Sequence, residues 1–135
     1  MIVIGERIKF QSLTYPDDVA TAAETSSDVY VTMLGQRYGT VIVQAKLTSA
    51  KTAVCQLTCA SDASGTGKAD VSGKTLTLTG ASTSVGCINF EITDLDLDND
   101  KYFVGVDITT NQNGDNITAL LAYVPAYIHG SINPN

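Results

Sequence analysis

The run Asp94-Leu95-Asp96-Leu97-Asp98-Asn99-Asp100 places four carboxylates within seven residues. Oxygen-rich clusters of this kind are what a hard cation such as calcium requires. If the segment alternates, its carboxylates face one way and its two leucines the other. An EF-hand loop, however, needs Gly at its sixth position and Glu at its twelfth. Counted from Asp94 those positions hold Asn99 and Gly105, so the run reads as a solvated acidic loop leading into the Lys101 strand. Ser64-Gly65-Thr66-Gly67-Lys68 has the look of a phosphate loop, yet Asp62 and Ala69 stand where that motif needs Gly and Ser or Thr. It reads as a flexible loop.

Nucleophiles and metal ligands are sparse. The cysteines are Cys55, Cys59 and Cys87, an odd number that cannot close into a full disulfide framework. In the alternating segment 53–59, Ala53, Cys55, Leu57 and Cys59 share one face, which suits small buried hydrophobes. A zinc site needs a close Cys pair with further Cys or His ligands, and the single histidine, His129, lies far away near Pro134. With no Gly-x-Ser-x-Gly and no histidine placed as a base, a hydrolytic triad is not supported. The expectation is a chain that is not an enzyme and has no cofactor and no metal.

Composition bounds the remaining options. The 135 residues are 44% hydrophobic and 16% charged, enough to bury one core. Eight basic against fourteen acidic residues give a net charge of -6, which repels phosphate and argues against nucleic acid as a partner. No apolar run approaches the ~20 residues that span a bilayer, so a membrane is not expected either. Glu6, Arg7 and Lys9 interrupt the place where a signal peptide has its apolar stretch, so the chain is expected to fold in a cytosol.

The elements that must position these residues are strands. Thr and Val abound, only three Glu are present, and no window holds a sustained 3.6-residue apolar period. About eight strands are expected: 1–8, 28–34, 40–47, 52–60, 74–79, 87–93, 101–109 and 117–127. The turn Thr48–Lys51 suggests that 40–47 and 52–60 form a hairpin. Asn113-Gly114, the strongest short hairpin signal, suggests the same for 101–109 and 117–127. Residues 61–73 read as a long mobile loop and 80–86 as a small-residue turn. In 11–27, Pro16-Asp17-Asp18 suggests a turn and Val19–Glu24 a short helical turn.

The last strand is apolar on both faces after Thr118. One face can enter the core, while Leu120, Val124 and Ile128, with Ala122 and Ala126 between them, must be covered by something else. Two readings stand: a central strand packed on both sides by its own chain, or a subunit interface. Pro125 removes a ladder donor and favours an edge position.

Taken in order, these features resemble the small jelly-roll capsid decoration (cement) proteins of tailed bacteriophages. The features are the arm Met1-Ile2-Val3-Ile4, the Ala20–Val31 stretch, Val54-Cys55-Gln56-Leu57-Thr58-Cys59-Ala60-Ser61-Asp62, a Gly/Ser loop, Phe90-Glu91-Ile92, Lys101-Tyr102-Phe103-Val104-Gly105-Val106 and a closing apolar strand. Lys101-Tyr102 departs from the family's Lys-Arg-Tyr-Leu-Arg. The resemblance implies an all-β, antiparallel two-sheet sandwich of jelly-roll type. Residues 1–10 would form an extended arm or edge strand and residues 11–135 a single domain. It implies a virion protein on the head surface, made in the host cytoplasm, bound to the major capsid protein and self-associated as a homotrimer. The contacts expected are Met1, Ile2, Val3, Ile4 and Phe10 from the arm, with Leu120, Val124 and Ile128 from the last strand. The competing roles are a neck, tail or head-fibre component and a ligand-binding, lectin-like sandwich.

Overall fold

Val41, Val43 and Ala45 are buried while the alternate residues Gln44 and Lys46 are exposed, the period-2 signature of a strand with one face against a core. This strand is one of nine among the described residues. They are β1 (Lys9–Val19), β2 (Glu24–Ser26), β3 (Val31–Thr32), β4 (Tyr38–Lys46), β5 (Thr52–Ala60), β6 (Ala69–Thr79), β7 (Thr83–Glu91), β8 (Phe103–Thr110) and β9 (Asp115–Tyr123). The structure, a computed structural model, describes residues 8–19, 24–26, 29–48, 50–80, 83–111 and 115–125.

The strands form two antiparallel sheets. Sheet A runs β1-β9-β4-β7 and sheet B runs β2-β8-β5-β6, with β3 also paired to β8. Because β2 and β3 both pair with β8, they act as two pieces of one interrupted edge strand. The result is a jelly-roll sandwich with four strand positions in each sheet. Its core lies between the sheets and includes Leu13, Val41, Val43, Leu57, Val106, Ile108, Ile117 and Leu121, none more than 1% exposed.

Connectivity differs from the expectation at both hairpins. β4 pairs with β7 and β9, and β5 pairs with β6 and β8, so 40–47 and 52–60 lie in opposite sheets. The same holds for β8 and β9. Of consecutive strands, only β5 and β6 are hydrogen-bonded neighbours. The physical reason is reach: a short turn spans the ~10 Å between packed sheets about as readily as the ~5 Å between strands of one sheet. Turn residues report a reversal of direction and leave the choice of sheet to the burial of both apolar faces.

Other boundaries move as well. Residues 9–19 form a strand where a turn was expected, because β1 is an edge strand and its register shifts between Thr14 and Asp17. An edge or a bulge is where a sheet tolerates a residue such as Pro16. Strand β6 begins at Ala69 and β7 at Thr83, which shortens the loops expected at 61–73 and 80–86. Within β6 the register shifts opposite Leu57. There the Gln56 side-chain amide donates to the carbonyls of Leu57 (2.7 Å), Val71 (2.9 Å) and Lys74 (3.3 Å), replacing the interrupted ladder. Strand β3 keeps only Val31–Thr32 of the expected 28–34, β7 stops at Glu91, and β9 stops at Tyr123. Since β9 lies between β1 and β4, it is a central strand, and Pro125 falls beyond its end. The expected strand 1–8 and the helical turn over 19–24 fall largely outside the described residues.

Candidate functional site

The motifs that suggested chemistry are spent on structure. The acidic run does not alternate: it folds as two 3-10 turns, Ile92–Asp94 and Leu97–Asn99, which turn its carboxylates to separate tasks. Asp94 accepts the Glu91 backbone N–H at 2.7 Å and pairs with Lys74 at 3.6 Å. Asp96 accepts from the Asn99 side chain at 2.9 Å and pairs with Lys101 at 3.5 Å. Leu95 is buried, while Leu97 is 40% exposed. Among the described residues, no three His, Cys, Asp or Glu side chains gather closely enough to hold a metal ion.

The Gly-rich loop is tied together by its own hydrogen bonds. The carboxylate of Asp62 accepts the backbone N–H groups of Ser64 (2.9 Å) and Thr66 (3.0 Å). Hydrogen bonds from Thr66 hold its pKa below the usual carboxylate range. Amides that a phosphate would need are thus already satisfied. Gly65, at φ +83°, lies against the Tyr30 ring, where a Cβ would come within 2.7 Å of the ring. Lys68 closes the loop onto the outer side of sheet B through an ion pair with buried Asp107.

Cys55 and Cys59 are buried, as their alternation suggests, and Cys87 is exposed. Burial, reinforced by the negative charge of Asp107, pushes the Cys55 thiol up to about 12. It stays a neutral, unreactive thiol at physiological pH because only the thiolate is nucleophilic. In dilute native protein, a thiol reagent is expected to titrate Cys87 alone, with Cys55 and Cys59 following only in denaturant. Rapid reaction of a second thiol in native protein would contradict this burial.

What remains without an internal role is the outer face of sheet A. The pairings across β1, β9, β4 and β7 align Phe10, Ala122, Thr40 and Asn89 in one row and Ser12, Leu120, Ile42 and Cys87 in the next. Thr118, Gln44 and Val85 continue the pattern. Phe10 is 50% exposed and Val85 63%, with half-buried Ile42 and Leu120 between them. None of these residues is an acid or a base, in a chain of net charge -6. On the outer face of sheet B, β6 presents Thr75, Thr77 and Thr79 to solvent, beside Val54 at 38% exposed. Threonines hydrate readily, whereas an apolar patch in water favours being covered.

Among the described side chains, charged groups appear at the ends of the sheet A face. At one end Lys46 is exposed beside Asn116. At the other, Tyr38 pairs with Glu91 and lies under the Arg37 guanidinium, 5.4 Å from the ring centroid. An open groove of about 550 Å³ runs beside Tyr38, lined by Thr40, Asn89, Glu91, Asp94 and Lys74. A hollow of about 190 Å³ flanks its other side, against Ala122, Tyr123 and Val124.

Of the contact residues expected from sequence, the structure brings Phe10 and Leu120 onto this face as diagonal neighbours on β1 and β9. Val124 follows just past the end of β9, 42% exposed. Met1, Ile2, Val3, Ile4 and Ile128 lie outside the described residues. Ile42, Val85, Cys87 and Tyr38 were missed. Ile42 carried a signal, being the one large apolar residue on the polar side of its strand. Val85 was hidden because the start of β7 reads as a turn, and Cys87 stood at the first position of its expected strand.

No protein-family model and no curated protein sequence matches the chain. In backbone shape it is similar to the PBSX exported protein XepA, with a TM-score of 0.54 at 8% identity over 87% of this chain and 37% of that one. The SPBc2 prophage-derived protein YomS gives a TM-score of 0.47 at 8% identity, over 87% of this chain and 92% of that one. The VP2 protein of infectious bursal disease virus, in its D431N mutant, gives 0.49 at 12% identity, over 90% and 32% respectively. The chain thus spans about a third of XepA and of VP2. At such identities the likeness is one of fold.

Proposed function

We propose that this chain is a virion structural protein that works by binding rather than catalysis. Its role on this reading is a decoration or cement protein, seated on the outer surface of a phage head and bound to the major capsid protein. One observation carries the reading: the described side chains of the outer face of sheet A are uncharged across its middle, where Leu120, Ile42 and Cys87 form a row flanked by exposed Phe10 and Val85, a surface suited to lasting macromolecular contact. The jelly-roll fold shared with the PBSX exported protein XepA and the phage-decoration resemblance of the sequence support the same role. The capsid contact falls to the N-terminal residues Met1–Ile4 and to Phe10, with Leu120, Val124 and Ile128 in a subunit interface. The resemblance makes that self-associated form a homotrimer.

Such a protein acts by mass action. Its site spans several capsid subunits and exists only once the shell has formed, so binding favours the assembled state over the dispersed one. The test is to add the purified chain to heads that lack it and to measure bound copies per head and the temperature at which heads release DNA. Saturable binding over the whole shell with a raised release temperature is expected. Deleting residues 1–7 is expected to abolish that binding while leaving the thermal unfolding midpoint of the isolated chain unchanged. Binding confined to a single ring at one vertex would instead identify a neck or tail component. Full occupancy by the truncated chain would remove the arm from the contact.

A further inference from the structure

We infer that the free edge of β7 pairs with the same edge of a second copy, antiparallel about a two-fold axis at Gly86. Two copies of sheet A then continue as one sheet. The inference goes beyond the role above and uses none of the residues assigned there. The phase of the ladder identifies the groups involved. The Ile92 N–H donates to the Arg37 carbonyl at 2.9 Å, one step past the Tyr38–Glu91 pair. Hydrogen-bonded pairs alternate along an antiparallel ladder, so Phe90, Ile88, Gly86 and Ser84 turn their backbone groups to β4. Glu91, Asn89, Cys87 and Val85 turn theirs outward, where no strand among the described residues pairs with them.

Part of this edge is already capped. The Asp94 carboxylate takes the Glu91 N–H at 2.7 Å, and the Lys74 ammonium donates to the Asn89 carbonyl at 3.0 Å. Among the described residues nothing caps the backbone groups of Val85 or Cys87, and both residues are exposed. The other sheet edges are blunted, as natural edges commonly are. β1 shifts register twice between Ser12 and Asp17, and its partner edge in sheet B is cut into β2 and β3, of three and two residues. β6 shifts opposite Leu57 and carries Gly73 at φ +74°. β7 instead pairs all nine residues with β4 in unbroken register and holds no charge before Glu91.

A row of free N–H and C=O groups selects an extended polypeptide, and the edge that matches it is its own copy. Since the other edges are broken, a second chain can offer an unbroken ladder only through β7, and such a contact is isologous and closes. An axis at Gly86 sets Val85 opposite Cys87 of the second copy and Cys87 opposite Val85, so every uncapped group of these residues is paired. Gly86 meets Gly86 at the axis, a non-hydrogen-bonded position where strands approach to about 4.5 Å and a side chain would crowd. Glu91 and Asp94 fall beyond the pairing. Two chains of net charge -6 thus meet where neither carries a charge. The outer faces of the two sheets lie side by side and stay open to the contacts assigned above.

The test is sedimentation equilibrium on the full chain at about 0.5 mM, because an edge contact falls below the ~1,000 Å² of a lasting interface. The native chain is expected to sediment as an even number of copies and Val85→Pro as half that number, with pairing weakened about tenfold or more. Proline at 85 removes only an outward N–H, so the thermal midpoint is expected to hold. Val85→Lys, at a position 63% exposed, is a second disruptor that leaves the backbone alone. Val85→Thr keeps the N–H without a charge and is expected to pair as the native chain does. The two Cys87 residues stand diagonally, about 7–8 Å apart. A bismaleimide spanning about 8 Å is expected to join them in the native chain and not in Val85→Pro. A native monomer or trimer, or a Val85→Pro chain that assembles and cross-links like the native one, would overturn the pairing. Head binding is read separately. A monomeric native chain whose head binding is lost in Val85→Pro gives the edge to a capsid strand and also overturns the self-pairing. An even-numbered assembly that never occupies heads sinks the decoration role alone.

Discussion

Leu121→Ala is expected to destabilise the fold by about 2–5 kcal/mol, the range for truncating a leucine in a packed core, and to leave self-association of the folded fraction intact. Its neighbour Leu120→Ala is expected to do the reverse, costing less stability and weakening association. The two residues are adjacent on β9 and differ only in the face they serve. Leu121 is 0% exposed and packed between the sheets, opposite Gln11 and Val41. Leu120 lies half-buried on the outer face between Ser12 and Ile42. Thermal or denaturant unfolding reads the first effect, and a concentration series by sedimentation reads the second. If Leu120→Ala proved as destabilising as Leu121→Ala, the outer face would belong to the core of the folded monomer and the binding role would lose its surface.

The second large effect is expected at Gly80, where a single methyl group has no room. A Cβ built there would fall 2.2 Å from the Leu47 Cβ and 3.1 Å from the Leu47 carbonyl oxygen. Gly80 is also tied by its own backbone: its N–H donates to the Lys51 carbonyl at 2.9 Å, and its carbonyl accepts from Ala50 at 2.9 Å. These bonds join the end of β6 to the turn between β4 and β5, so relief must come from moving the backbone. Gly80→Ala is therefore expected to cost about 1–3 kcal/mol by overpacking. Gly80→Ala combined with Leu47→Ala should not recover the loss, because alanine at 47 keeps the Cβ that lies 2.2 Å away and the carbonyl contact remains. Unfolding curves of the single and double variants check this, and a silent Gly80→Ala would show that the turn yields freely.

The jelly-roll topology explains why sites on this chain are assembled from distant segments. Residues 10, 42, 87 and 120 meet because β1, β9, β4 and β7 are neighbours in space while they are separated in sequence. The acidic turns occupy a connection between the sheets and the Asp62 loop the connection between β5 and β6 within sheet B, where their side chains hold backbone groups that no ladder satisfies. Asp62, Asp94 and Asp96 are thereby committed to the scaffold, and the outer face of sheet A is left to uncharged residues among those described.

The composition and the alternation of the chain alone determined that it folds as strands with one core. They marked most of the inward residues: Val41, Val43, Ala45, Leu57, Ile88, Phe90, Val104, Val106 and Ile108 are all buried. This is legible because a strand has a period of two, and burial of apolar area is a local property of each side chain. Tertiary structure alone decided which strands pair, that β9 is central despite Pro125, and that Ile42, Cys87 and Leu120 share a line. Pairing depends on the joint burial of two whole faces, a condition no single turn encodes. The outer face of sheet A exists only after that condition is met, for it is made of residues the core left behind.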